Sequence, residues 1–208
     1  MEEKLVYSEI LKAAWKGLKS QFWLLVGLVI GFTIIYSLLM IFTIPDKVES
    51  FEISRIIVSI LSAFIFGLFV MGYLKNCLQT LDGEEPQFSA YGQVSRKLLT
   101  FLVAYIIYYI IVIIGLVLLI VPGIYLSLRL QFFFASMVEE NTGIMDSFKR
   151  SWNITKGRSL SLFVLSLIML LIYFIGCIAL FVGVFIAVPL MVLMYGVIFR
   201  KLTAPAAQ

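Results

Sequence analysis

Forty consecutive residues, 160–199, carry no charged side chain. As one α-helix that run would be about 60 Å long, twice the hydrocarbon thickness of a bilayer at about 30 Å. A water-soluble fold has no place for it, whereas two membrane crossings joined by a tight turn between Gly176 and Pro189 fit its length. The spacing therefore predicts spans over 160–182 and 184–199. Composition agrees: the chain is 62% hydrophobic and 13% charged, against about 45–50% and about 25% in soluble domains. At 208 residues the length suits one domain, 1–208.

Four further apolar segments predict spans over 22–44, 56–74, 98–121 and 124–138. The first contains Gly27 and Gly31, a pair that favours close helix approach in lipid. In the second, Ser59, Ala63 and Gly67 form a small-residue stripe suited to packing on the first. Residues 75–97 read as a polar connection. Pro122-Gly123 reads as the turn between the third and fourth spans, and the fourth is short. The expected fold class is an all-α membrane protein with six transmembrane helices arranged as three hairpins.

Two polar stretches are amphipathic at helical spacing. In 1–21, Tyr7, Ile10, Leu11, Ala14, Trp15 and Leu18 share a face opposite Lys12, Lys16 and Lys19. In 143–157, Ile144, Met145, Phe148 and Trp152 oppose Lys149, Arg150, Asn153 and Lys156, with Asn141 or Thr142 as cap and Gly157 beyond the end. Both read as interfacial helices, apolar face down on the membrane. Six spans put both termini on one side. With Arg158, Arg200, Lys201 and the residues of the connections, thirteen of the 16 lysines and arginines fall there, while Lys47 and Arg55 fall opposite. The excess of basic residues makes that side cytoplasmic. Trp15, Trp23 and Trp152 fall at the same interface. The first apolar run starts too late and is too long for a cleavable signal.

The pattern recurs. Three units each have a polar lead-in, a long span, a proline near the turn (Pro45, Pro122, Pro189) and a returning span. Lys12, Trp15 and Lys19 have the spacing of Lys149, Trp152 and Lys156. This reads as an internal repeat of three hairpins about a pseudo-threefold axis, an arrangement that often forms a site at the repeat interface.

The chemistry available is narrow. The chain has no histidine, which excludes His-ligated metal and His general bases. Cys77 and Cys177 fall at opposite membrane faces, too far apart for a disulfide. No metal and no cofactor is expected. Arg129 is the single charge within the predicted spans, at an insertion cost of roughly 2.5–3.5 kcal/mol. It lies six residues from Gly123, about 9 Å below the outer end of its helix. Hairpin geometry about Pro122 sets Gly115 opposite it. Its available partners are backbone carbonyls and tyrosine hydroxyls, an outer-leaflet phosphate or a bound anion. Tyr105, Tyr108 and Tyr109 cluster on one face of the third span. With Arg129 they form the candidate anion- or lipid-binding site. Lys12, Lys16, Lys19, Lys149, Arg150, Lys156 and Arg158 form the candidate membrane-surface set, attractive to anionic lipids.

Residues 121–157 carry Pro122-Gly123-Ile124-Tyr125 before Arg129, Gly143 before the amphipathic segment, then Lys149-Arg150-Ser151-Trp152 and Lys156-Gly157. This stretch resembles a family of prokaryotic integral inner-membrane proteins of unknown function, also labelled glycerophosphoryl diester phosphodiesterase membrane-domain-like. The resemblance implies a membrane module, sometimes fused to a phosphodiesterase domain that has no counterpart here, and a link to phospholipid or envelope maintenance. The expectation is a non-enzymatic inner-membrane protein, a lipid-interacting scaffold or partner subunit. Its partners would be anionic membrane lipids and a second protein, not nucleic acid. The alternative is a small transporter or channel for an anionic or lipidic substrate near Arg129.

Overall fold

A computed structural model describes residues 5–41, 52–179 and 182–204. Among the described residues it contains ten helices and no strand: α1 Tyr7–Ser20, α2 Phe22–Ile41, α3 Glu52–Leu81, α4 Ser89–Ser95, α5 Leu98–Leu118, α6 Ile120–Leu130, α7 Phe133–Glu139, α8 Ile144–Ile154, α9 Ser159–Ile178 and α10 Val184–Thr203. Six segments are long and apolar enough to cross a bilayer. They are α2, α3, α5, the α6–α7 pair taken together, α9 and α10. Each overlaps a predicted span, with shifted ends; residues 42–44 of the first lie outside the described residues.

Each shift has a physical cause. α3 runs on past residue 74 to Leu81 because the added turns have something to bury. Cys77 and Leu78 are buried, and Leu78 and Leu81 lie against Gly196 of α10 and Gly17 of α1. The polar connection therefore starts seven residues later than expected. α4 lies on α3 where Gly72 has no Cβ, since a Cβ there would come within 2.2 Å of the Tyr91 ring.

The turn between α5 and α6 is at Leu119, not at Pro122-Gly123. Leu119 is extended, and α6 begins at Ile120. Pro122 sits in the first turn of α6, where the missing N–H costs nothing. Gly115 packs against Gly123, not opposite Arg129: a Cβ on Gly115 would stand 2.9 Å from the Gly123 Cα. The α9–α10 connection falls between Gly176 and Pro189 as expected, with Pro189 inside α10, and Pro45 lies outside the described residues. The α9–α10 connection repeats the device, since a Cβ on Gly183 would meet the Gly176 Cα at 2.9 Å. Two hairpin tips are thus closed by glycine pairs, where backbone meets backbone.

Other small-residue expectations fail. A Cβ on Gly27 or Gly31 would meet nothing within 4 Å, so no helix approaches there. The pair instead floors an open groove of about 640 Å³ beside Trp23, Phe69 and Phe88. Gly67 packs against Leu98, Phe101 and Leu102 of α5 rather than on α2, and Ser59 and Ala63 are exposed.

The core lies toward the end of the bundle that holds α1, α4 and α8. Buried side chains concentrate at Leu25 and Val29, Met71 to Leu78, Phe101 and Ala104, Leu128 to Val138, Leu162 and Leu165, and Leu190 to Leu202. Toward the opposite end, Ile34, Leu38, Ile57, Ile113, Leu171 and Ile178 are exposed, as side chains solvated by lipid would be. α1 departs from a simple surface helix. Its Ile10, Ala14, Gly17 and Leu18 are buried against α10 and α3, because Gly17 and Gly196 let the helices close up. Leu11 and Trp15 stay exposed.

A polar collar holds that end. Arg200 bridges Asp82 at 2.8 Å and Glu139 at 3.0 Å, Lys201 meets Glu9 at 2.7 Å, and Arg150 grips Glu140 through two nitrogens. Lys97 donates to the carbonyls of Asn141 and Thr142. Exposed pairs contribute about 0–1 kcal/mol each, so the collar mainly fixes register among α1, α3, α5, α7, α8 and α10. The glycine contacts are stronger constraints. Gly123→Val would drive a side chain into the Leu116 backbone, 2.6 Å from the Cβ position, and should cost about 1–3 kcal/mol. Gly31→Ala should be neutral or stabilising. Thermal unfolding of the purified variants in detergent checks both.

Candidate functional site

A helix that crosses lipid satisfies its backbone internally, so an interruption needs outside partners. The fourth crossing is interrupted: α6 ends at Leu130, and α7 starts at Phe133. The freed groups are answered one by one. The Arg129 carbonyl accepts from Ser151 Oγ at 2.9 Å and from Thr155 Oγ1 at 3.1 Å. The Phe132 N–H donates to the same Ser151 Oγ at 3.0 Å, and the Gln131 carbonyl accepts from Tyr195 Oη at 2.8 Å. Ser151 and Thr155 are fully buried and sit one turn apart on α8 and at its C-cap, so α8 is the splint of the broken crossing.

α8 itself is built as expected, with two corrections. Its N-cap is Gly143, which makes no side-chain cap bond. Asn141 instead takes a left-handed φ of 58°. Gly157, with φ of 76°, turns the chain past the helix end. The apolar face is not simply laid on lipid, because Phe148 is buried and stacks on Phe133 at 5.1 Å. Met145 and Trp152 remain exposed.

Arg129 is 2% exposed. Because α6 starts at Ile120, it lies nine residues in, about 14 Å along the helix. It therefore lies farther from the tip of its hairpin than the sequence spacing suggests, and close to α8. Its guanidinium carbon lies 4.2 Å from the centroid of the Trp152 ring and 5.9 Å from that of Tyr125. Contacts of this kind contribute about 0.5–2 kcal/mol, less than the insertion cost above. Its Nε has no acceptor.

The tyrosines belong elsewhere. Tyr105 Oη donates to Tyr109 Oη at 3.0 Å. Tyr105 and Tyr108 line a cleft of about 560 Å³ in the middle of the bundle; Arg129 and Tyr109 are not among its walls. The walls come from α2, α3, α5, α7 and α10, with Phe32, Phe66, Phe69, Phe101, Phe133 and Phe134 prominent, and Gln131 and Tyr195 at the break. The predicted site is thus two places: a cation box where Arg129 meets Trp152 and Tyr125, and an aromatic cleft whose walls include Tyr105 and Tyr108. Sequence reasoning missed Tyr73, Gln131 and Tyr195 as cleft residues. Only the interruption at Gln131, a lone amide in an apolar run, could have drawn attention there.

The surface set also divides. Lys12, Lys16, Lys19, Lys149 and Lys156 are exposed, and Lys19 stands 5.5 Å from the Trp15 ring centroid. Arg150 is committed to Glu140. Arg158 is half-buried, with Nη1 lacking an acceptor. Trp23 is exposed. Cys77 is buried, and both cysteines are free thiols. No group of three or more His, Cys, Asp or Glu side chains that could hold a metal occurs among the described residues.

Helices of this length and polarity, with a core confined to one end, define a multi-pass membrane protein. A family profile described as Domain of unknown function (DUF7847) matches residues 50–207, well over half of the chain, and the chain belongs to that family. No curated protein and no solved structure matches it.

The splint makes a clear prediction. Ser151→Ala strands the buried Phe132 N–H and should lower stability by about 1–3 kcal/mol. Ser95→Ala, at an exposed hydroxyl, should be silent. Unfolding midpoints measured side by side in one detergent check this.

Proposed function

We propose that this chain is a non-enzymatic membrane protein that binds lipid between its helices and acts as a lipid-interacting scaffold or partner subunit. The observation that carries the reading is the aromatic cleft. It lies at mid-bundle between membrane-crossing helices, and its walls are almost wholly apolar apart from tyrosine hydroxyls and Gln131. A cleft of about 560 Å³ is in the range of small-molecule sites. The abundant small molecules at that depth are lipid acyl chains.

The architecture proposed with it is threefold. A lead-in helix followed by two long helices occurs as α1, α2, α3, then α4, α5 and α6–α7, then α8, α9, α10. Glycine pairs at the tips of the second and third units support a common origin for the hairpins. The cleft draws walls from all three. In this reading the collar, the exposed lysines and the lead-in helices face the cytoplasm of a prokaryote, at its inner membrane. The link to phospholipid or envelope maintenance is carried by the resemblance of residues 121–157 to the membrane domains named above. A transporter is the second reading, and one observation favours it: a broken helix borders the cleft, as at transporter substrate sites. With no charge in the walls, its substrate would be apolar or lipidic.

Photolabelling tests the first reading. A phospholipid with a benzophenone on its acyl chain should label peptides containing 66–74 and 131–134. Val192→Trp, which fills the cleft, should reduce that labelling several-fold. Labelling confined to outward positions such as Ile34 and Ile113, unchanged by the filling variant, would contradict the proposal. Robust transbilayer flux by the purified protein in liposomes would move the reading to transport.

A further inference from the structure

We infer that Arg129, seated on Trp152 and accompanied by Arg158, is a binding site for the phosphate of an anionic phospholipid at the membrane face that carries α8. The inference rests on the lipid-binding reading above but uses none of the cleft residues.

Among the described residues Arg129 is the one charged side chain that is fully buried. A buried guanidinium ordinarily holds a carboxylate. Among the described residues no ion pair reaches it, and four carboxylates of this end are engaged elsewhere: Glu140 with Arg150, Glu139 and Asp82 with Arg200, Glu9 with Lys201. The rings of Trp152 and Tyr125, 4.2 and 5.9 Å away, answer the charge but offer no oxygen to the N–H donors. Nε is left without an acceptor. The Arg129 carbonyl, meanwhile, is fixed by Ser151 and Thr155, so the side chain is held in place by its backbone.

A second orphan lies on the segment that follows α8, linked to Arg129 through Thr155. Arg158 Nη1 is buried without an acceptor, and its backbone is tied to the same residue, because Arg158 N–H donates to the Thr155 carbonyl at 3.2 Å. Two arginines with unfilled donors and no ion pair among the described residues call for an anion with several acceptor oxygens, and a phosphate has them. The position selects the source. Trp152 and Tyr125 are partly exposed, and Met145 on the same helix is exposed and apolar, as at the boundary of headgroups and acyl chains. Lys149 and Lys156 stand exposed on α8 and beyond its end, which favours a lipid with net negative charge.

The test compares phosphatidylglycerol, diacylglycerol with the same chains and inorganic phosphate, added to the purified full-length protein and read by native mass spectrometry. Wild type should retain phosphatidylglycerol over diacylglycerol by about tenfold, a difference of about 1.4 kcal/mol. Arg129→Gln should remove that preference, Arg129→Lys should keep part of it, and Arg158→Gln should reduce it. Diacylglycerol retention should not change in any of them, since the cleft is untouched. Should Arg129→Gln fail to fold, Arg158→Gln and Trp152→Leu carry the test, and each must lower the preference. Equal retention of the two lipids by wild type, or a preference unmoved by these variants, overturns the inference while leaving the cleft reading intact. Displacement of the lipid by millimolar inorganic phosphate overturns the lipid as the source. Retention of neither lipid overturns both readings.

Discussion

A backbone carbonyl or N–H in hydrocarbon has no water to fall back on, and leaving it unpaired costs several kcal/mol. That constraint organises this molecule. The chain interrupts its fourth crossing between Leu130 and Phe133 and then assembles the partners the interruption needs. Ser151 and Thr155 come from α8, and Tyr195 comes from α10. Because α8 must reach the break, it cannot lie freely on the membrane surface. Phe148 goes into the core beside Phe133, and Trp152 comes to rest over Arg129. One local defect in a helix thus accounts for the docking of an amphipathic segment and for the setting of the only charge in the predicted spans.

The same break separates two environments. On one side, Gln131 and Phe133 border the aromatic cleft, while on the other Arg129 faces Trp152 and Tyr125. A molecule with an apolar body and an anionic head has matching chemistry on both, although a single lipid need not occupy the two together. The close glycine contacts and the collar of ion pairs hold the surrounding helices in register. The core lies toward the end of the bundle that carries α1, α4 and α8.

Much of the fold was readable in the sequence, because runs of uncharged residues longer than a bilayer is thick have few other solutions. The number of apolar crossings and the two strongly amphipathic segments follow from such runs and from helical periodicity. What could not be read was partner choice. Gly27 and Gly31 match a packing motif yet contact no helix, whereas Gly115 and Gly123, eight residues apart across a turn, bring backbone against backbone. Spacing within one helix says nothing about which helix arrives. Pro122 looked like a turn residue, but proline in the first turn of a helix has the same local signature. For the site, Arg129 proves buried, and it lies farther from the hairpin tip than expected because the turn comes three residues earlier. It is not grouped with the tyrosines: Tyr105 and Tyr108 line the cleft, whereas Arg129 packs on Trp152 and Tyr125.

The central claim is that this protein holds particular lipids rather than merely sitting among them. It is tested most directly by extracting the protein in native-membrane copolymer discs, washing away loosely held lipid in detergent and measuring the lipids that remain. The account predicts a small residual set enriched in anionic phospholipid relative to the parent membrane. A residue of lipid with the composition of the bulk membrane, or none at all, would contradict it.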